Sequence, residues 1–392
     1  MASLGGSSRP PSYEGYPAAI DSLLKYIDPG VAEALDKALS LRDIDEGDAL
    51  ELLRSRGLGA WLTVACADYL RWLAVGDVAT FVVNRNIQYT NYCINGCKFC
   101  AFSTRDAERS WTLSIPEVLR KVEEAFERGA TEVCIQGGIN PKLTLDYYLS
   151  MLREIKRRFP SIHIHAFSPQ EIHYMSESSG LPHREVLKAL KEEGLDSIPG
   201  TAAEILDDEV RGAICPNKID TRTWVEVVRT AHRLGIPSTA TIMYGHVEED
   251  VHKVRHLKVI RDLQRETGGF TEFVLLPFVH YNTELYTKLG SRPGSSGIED
   301  LKTHAVARLY LCNYIKNVQV SWVKLGPKLA QAMLHAGCND VGGTLMEENI
   351  SRAAGSPYSR PMSAEELVRM IREAGRVPAQ RDTLYRILRV FN

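Results

Sequence analysis

The sequence predicts an α/β protein built on a (β/α)8 TIM-type barrel, with an N-terminal helical extension and a C-terminal tail. Three observations predict it. Short β-branched runs alternate with amphipathic helical stretches in eight βα-like units over about 260 residues, the size of such a barrel. The composition is that of a globular chain, 44% hydrophobic and 24% charged, which excludes a disordered or collagen-like protein. Several helical stretches also end in Gly after a basic last turn, the usual stop signal.

The elements follow in order. Residues 1–17 are rich in Gly, Ser and Pro and read as a flexible tail. Residues 18–78 read as the helical extension, because VAEALDKALSLRD and EGDALELLRSRG carry apolar residues at three- and four-residue spacing. Residues 79–344 form the expected barrel. Its strands are TFVVNRNIQ, TEVCIQG, SIHIHAF, the short LDSIPG, STATIMYG, FTEFVLLPF, VQVSWVK and a brief NDVGG. Between them lie helices such as IPEVLRKVEEAFERG, LDYYLSMLREIKRRF and RTWVEVVRTAHRLG. Residues 345–392 read as loop, a helix near Ser363–Ala374 and a short terminal segment. A doubly wound open sheet is the alternative, disfavoured because the eight units run on without a switch in character.

Lys and Arg number 47 against 49 Asp and Glu, a net charge of −2. With no basic excess, neither a nucleic-acid groove nor an anionic membrane is the expected partner. No apolar run approaches the roughly 18 residues that span a bilayer. The start, MASLGGSSRPPSYEGYP, lacks the basic-then-apolar order of a signal peptide. A cytoplasmic protein is expected.

Eight cysteines occur, and three cluster as Cys93-x3-Cys97-x2-Cys100 directly after the first strand. In a barrel that loop lies on the C-terminal face, where active sites sit. Three thiolates so close can wrap one soft metal centre. A closed zinc site needs four ligands, and no fourth lies at finger-like spacing. A 4Fe-4S cluster is normally held by four cysteines, so three would leave one iron open to a ligand. Chance proximity and a zinc site with a distant fourth ligand remain the alternatives. Cys134 and Cys66 read as small core residues, and Cys215, Cys312 and Cys338 have no partner spacing.

With Phe99 before the last cysteine, this motif resembles that of the radical S-adenosylmethionine superfamily. The resemblance implies a 4Fe-4S cluster on Cys93, Cys97 and Cys100, whose open iron chelates S-adenosylmethionine, and a 5′-deoxyadenosyl radical made by one-electron cleavage. It further implies that Phe99 lies near the adenine and that Gln136-Gly137-Gly138 meets the methionine amino group. Ser168 and Glu204 match positions that hold other parts of that cofactor. A turn role for the glycines and a capping or surface role for Ser168 and Glu204 are the competing readings.

Longer stretches, among them QGGINP, SPQEI, IPGTAAEILDDEVR, ICPNK, TATIMYGHVE and FVLLPFVHYNT, resemble the tyrosine-using subunit family of FO synthase over about residues 60–350. That resemblance implies a transferase of FO (deazaflavin, coenzyme F-420) biosynthesis. It would break the Cα–Cβ bond of L-tyrosine and add the 4-hydroxybenzyl group to 5-amino-6-(D-ribitylamino)uracil. An electron donor and a separate ring-closing radical enzyme are the implied partners. His165, Tyr244, His246, His280 and Asn282, near strand ends, are weak candidates for holding the substrates. Aminofutalosine synthase or dehypoxanthine futalosine cyclase of menaquinone biosynthesis, which share the motif, are the nearest alternatives. A non-catalytic metal-binding protein is the alternative of another class.

Overall fold

Caps explain why the chain begins helical. In the computed structural model, which describes Tyr13 and residues 15–392, four helices precede the first strand: α1 (Tyr16–Leu24), α2 (Pro29–Leu39), α3 (Glu46–Arg54) and α4 (Gly57–Val75). The Asp28 carboxylate accepts from the Gly30 N–H at 2.9 Å, and Pro29 fills a first-turn position whose N–H would go unpaired. Asp45 and Asp48 cap α3 reciprocally. The tail expected over residues 1–17 lies largely outside the described residues, and its Tyr16 and Pro17 already belong to α1.

From Val78 strands and helices alternate. β1 (Val78–Val82) and β2 (Asn84–Gln88) lead to α5 (Ile115–Glu127), β3 (Glu132–Gln136), α6 (Leu145–Arg158) and β4 (His163–Ala166). Four helices follow, α7 (Pro169–Ser179), α8 (His183–Glu192), α9 (Asp208–Ile214) and α10 (Thr221–Arg233). Next come β5 (Ser238–Tyr244), α11 (Asp250–Thr267), β6 (Phe270–Pro277), α12 (Glu284–Thr287) and α13 (Gly297–Leu311). The barrel ends with β7 (Val318–Val320), α14 (Trp322–Leu325), α15 (Pro327–Met333) and β8 (Asp340–Gly343). Beyond it lie α16 (Asn349–Ala353), α17 (Ala364–Glu373), β9 (Val377–Arg381) and β10 (Ile387–Val390).

β2, β3 and β4 form one parallel ladder, and β5, β6, β7, β8 and β1 another. Isolated bridges, His165 to Ser197 and Ile198 to Ser238, join them on one side. On the other side the chain runs directly from β1 through Val83 into β2. β8 closes the ring against β1, with Thr80 opposite Asp340 and Val82 opposite Gly343. The result is the expected (β/α)8 barrel, its inner and outer side chains alternating along each strand.

Four local expectations change. TFVVNRNIQ is two strands, because pairing partners switch at Val83 from β8 and β9 to β3. LDSIPG contributes only the two bridge residues, and VQVSWVK yields a three-residue strand before α14. The terminal segment is a hairpin, with β9 parallel to β1 and β10 antiparallel to β9. It lays the end of the chain beside the first strand.

The two ends of the chain also meet. α4 packs along α13, and α3 on α11 and α13, so the N-terminal helices cover one flank of the barrel. Asp68 of α4 is buried and accepts from Tyr13 Oη at 2.6 Å, Arg71 Nε at 2.8 Å and Arg376 Nη2 at 2.7 Å. Arg376 immediately precedes β9, so this buried network ties the helical segment to the tail. Asp68 serves both guanidiniums, and Arg376 also lies 3.9 Å from Asp77, so two carboxylates face the two cations as burial demands.

Candidate active site

A cavity of about 400 Å³ opens at the C-terminal ends of the strands, lined by side chains from the barrel interior and the loops above it. Alternation on β2 turns Asn84, Asn86 and Gln88 inward, and on β3 Glu132, Cys134 and Gln136. β5 adds Thr239 and Thr241, and β6 adds Glu272, Val274 and Leu276.

The loop after β2 carries Cys93, Cys97 and Cys100, and all three line the cavity. Backbone bonds fix it: Cys93 N–H donates to Thr104 O at 3.1 Å, Ile94 N–H to Ile139 O at 3.1 Å, and Lys98 N–H to Ile214 O at 2.9 Å. Gly96 has φ +61°, a left-handed turn that brings the second and third cysteines round. A Cβ on Gly138 would lie 2.2 Å from the Tyr92 carbonyl oxygen, so glycine is required there by the cysteine loop itself. Three soft donors on one pinned loop beside an open cavity fit a cluster held by three thiolates and accessible at its remaining iron.

Around this loop the wall is charged but paired. Lys218 Nζ bonds Glu204 Oε1 at 2.5 Å and stands 5.2 Å over the Phe99 ring. Burial raises the Glu204 pKa, but Lys218 outweighs it and holds the carboxylate below its usual range. Ser168 caps α7 in a reciprocal box with Glu171, whose other oxygen accepts from Tyr89 Oη at 2.7 Å and from the Gly137 N–H at 3.1 Å. Despite those bonds, burial leaves the Glu171 pKa raised.

The floor is polar and is built from distant parts of the chain. Asn84 Nδ2 donates to Glu132 Oε1 at 2.9 Å, and His165 Nδ1 lies 2.7 Å from Ser197 Oγ. Burial pushes His165 down to about 4, against the pull of Glu132, so the ring is neutral near pH 7. Burial likewise pushes Glu272 up to about 7. Arg381 of β9 grips Asp340 at 2.5 and 3.1 Å.

Phe99, Gln136, Gly137, Gly138, Ser168 and Glu204 all line the same cavity as the cysteines. Of the five weak substrate candidates, His165 alone does so. Tyr244 points outward, its hydroxyl donating to Asp300 of α13 at 2.7 Å, since parity on β5 turns Met243 inward instead. His246 is buried against the Met243 carbonyl at 3.1 Å. His280 packs on Tyr281 and Tyr286, and Asn282 donates to Ala353 O at 2.9 Å. Strand-end position did not fix direction for these four. Cys134, expected in the core, also lines the cavity. Glu171, Glu272, Lys324, Glu348 and Arg381 are lining residues the motifs did not reveal. The capping spacing Ser168-x2-Glu171 was the one available signal among them.

Residues 87–259 match the family model of the Radical SAM superfamily, and residues 267–392 that of the CofH/MqnC C-terminal region. The 5-amino-6-(D-ribitylamino)uracil–L-tyrosine 4-hydroxyphenyl transferase of Archaeoglobus fulgidus is 56% identical over 83% of this chain and 93% of its own. The protein of the same name from Methanopyrus kandleri is 51% identical over 89% and 94%. Among solved structures, the [FeFe]-hydrogenase maturase HydG superposes with TM-score 0.71 at 19% identity, covering 93% of this chain and 79% of its own. Methylornithine synthase (PylB) does so with TM-score 0.71 at 19% identity, covering 88% and 97%. These two likenesses establish the fold.

Proposed function

Because this chain belongs to the radical SAM superfamily, we propose that it cleaves L-tyrosine and transfers the 4-hydroxybenzyl group to 5-amino-6-(D-ribitylamino)uracil. The observation that carries this reading is the near full-length match to archaeal relatives of that activity. The same relatives favour it over the menaquinone-pathway alternatives, and the cavity beside the cysteines favours it over a non-catalytic metal protein.

When bound, the 4Fe-4S cluster and S-adenosylmethionine supply the 5′-deoxyadenosyl radical. Cys93, Cys97 and Cys100 would hold the cluster. Gly138 lets the β3 turn close on the cysteine loop, Gly137 leaves room for the Tyr89 ring, and the Glu204–Lys218 pair braces Phe99 from one side. The enclosed barrel keeps stray hydrogen donors from a reactive centre. Asn84, Glu132, His165 and Thr239 offer the floor donors and acceptors that a diaminouracil with a ribityl chain requires. Neutral His165 can accept or donate there without adding charge.

This reading also calls for an electron donor and a separate ring-closing radical enzyme. No helix among the described residues is long and apolar enough to cross a membrane. None of the eight cysteines is in a disulfide, which fits a reducing, cytoplasmic setting. The test is an anaerobic reaction of iron-reconstituted protein with S-adenosylmethionine, dithionite, tyrosine and the diaminouracil, followed by mass spectrometry. A hydroxybenzyl–diaminouracil adduct with 5′-deoxyadenosine is expected. Deoxyadenosine without adduct would reject the substrates, and neither product from cluster-replete protein would reject the activity.

A further inference from the structure

The arc of the cavity beyond β7 and β8 differs from the arc beside the cysteines. Gln136 ends β3, and Gly137, Gly138, Ser168 and Glu204 follow β3, β4 or the bridge segment after α8. Opposite them, Val320, Trp322 and Val323 form an apolar wall, and Lys324 on α14 stands at its edge. Three lysine and arginine side chains line the cavity among the described residues: Lys218, Lys324 and Arg381. Lys218 is paired with Glu204 and Arg381 with Asp340. Lys324 has no carboxylate at ion-pair distance; its bond is to the Ser351 hydroxyl, at 3.3 Å.

An enclosed ammonium with one weak neutral partner is costly unless a ligand completes it. Enclosure accordingly lowers the Lys324 pKa, with Glu348 and Glu204 opposing that shift. Below it the floor holds the Glu132 carboxylate, kept below its usual range, and the Arg381 cation is already taken. An anionic group entering the cavity therefore meets repulsion deeper down and one free cation at the apolar wall.

We propose that Lys324 binds the α-carboxylate of the amino-acid substrate, whose aromatic ring lies on the Val320–Trp322 wall. The assignment rests on the tyrosine reading above, where tyrosine is the substrate that carries a carboxylate. It makes Lys324 a specificity determinant for an amino acid over its decarboxylated amine.

Calorimetry on the iron-reconstituted protein tests this with three probes: L-tyrosine, tyramine and S-adenosylmethionine. Wild type is expected to bind tyrosine about 30-fold more tightly than tyramine, ~2 kcal/mol, the low end for a desolvated charge pair. In Lys324→Met that preference disappears while tyramine and S-adenosylmethionine bind as before, and Lys324→Arg retains most of it. Unchanged tyrosine affinity in Lys324→Met would overturn the assignment. Equal losses for tyrosine and tyramine would also overturn it, marking a packing role, and weakened S-adenosylmethionine would move the lysine to the cofactor. Wild-type protein that binds no tyrosine would overturn the tyrosine reading itself, and this assignment with it.

Discussion

The cysteine-loop wall and the floor of the same cavity are built in opposite ways. The wall's ligands fall within eight consecutive residues, Cys93 to Cys100, held by a left-handed Gly96 and local backbone bonds. The floor is assembled from Asn84, Glu132, His165, Glu272, Asp340 and Arg381, nearly the whole length of the barrel and its tail. A group that needs three ligands at fixed spacing can be served by one loop. Recognition of a polar substrate needs donors and acceptors from several strands, which a closed barrel brings together.

The largest expected effect breaks the wall alone. Replacing Cys93, Cys97 or Cys100 with Ala should abolish iron loading and activity while circular dichroism stays unchanged, since no cysteine of the loop supports a barrel strand. A fully active, iron-replete Cys97→Ala protein would refute the wall's assignment.

Next is Glu204→Gln, which leaves Lys218 buried without its carboxylate. A loss of about 3–5 kcal/mol is expected in denaturant unfolding of the cluster-free protein, typical of breaking one side of a buried pair. A loss near zero would mean that cavity water already screens the pair.

The floor is probed through pH. Glu272 has its folded pKa raised to about 7 from 4.5, so the native state holds a proton that the unfolded chain releases. Stability must then fall as pH climbs through that window and level off above it. Glu272→Gln removes this loss, and its advantage over wild type should grow to about 3 kcal/mol near pH 7. Parallel unfolding curves from pH 4.5 to 7.5 would contradict the assigned burial. The smallest effect is Ser168→Ala, about 1 kcal/mol for a lost helix cap, measured by urea unfolding of the same cluster-free protein.

What the sequence made legible follows the same division. The Cys-x3-Cys-x2-Cys spacing and the alternation of strands with helices are local patterns, and they read directly; the Ser-x2-Glu spacing at Ser168 is as local, but Glu171 was not picked out from it. Tyr244 did not, because one residue of strand parity separates a cavity-facing side chain from one bonded to Asp300. The β9–β10 hairpin was hidden because VPAQR, with a Pro and no β-branched alternation, takes its strand form from pairing with β1. Arg381 could not be placed until that pairing put it beside Asp340, and Lys324 until α14 set it beside Ser351.

The most direct test of the account follows the bond it claims is broken. Reconstituted protein would be given L-tyrosine labelled with carbon-13 at Cβ, or in a parallel reaction at Cα, together with the diaminouracil. The Cβ label is expected in the hydroxybenzyl adduct and the Cα label only in the small two-carbon remnant. An adduct that carries the Cα label, or deoxyadenosine formed with no labelled adduct, would contradict it.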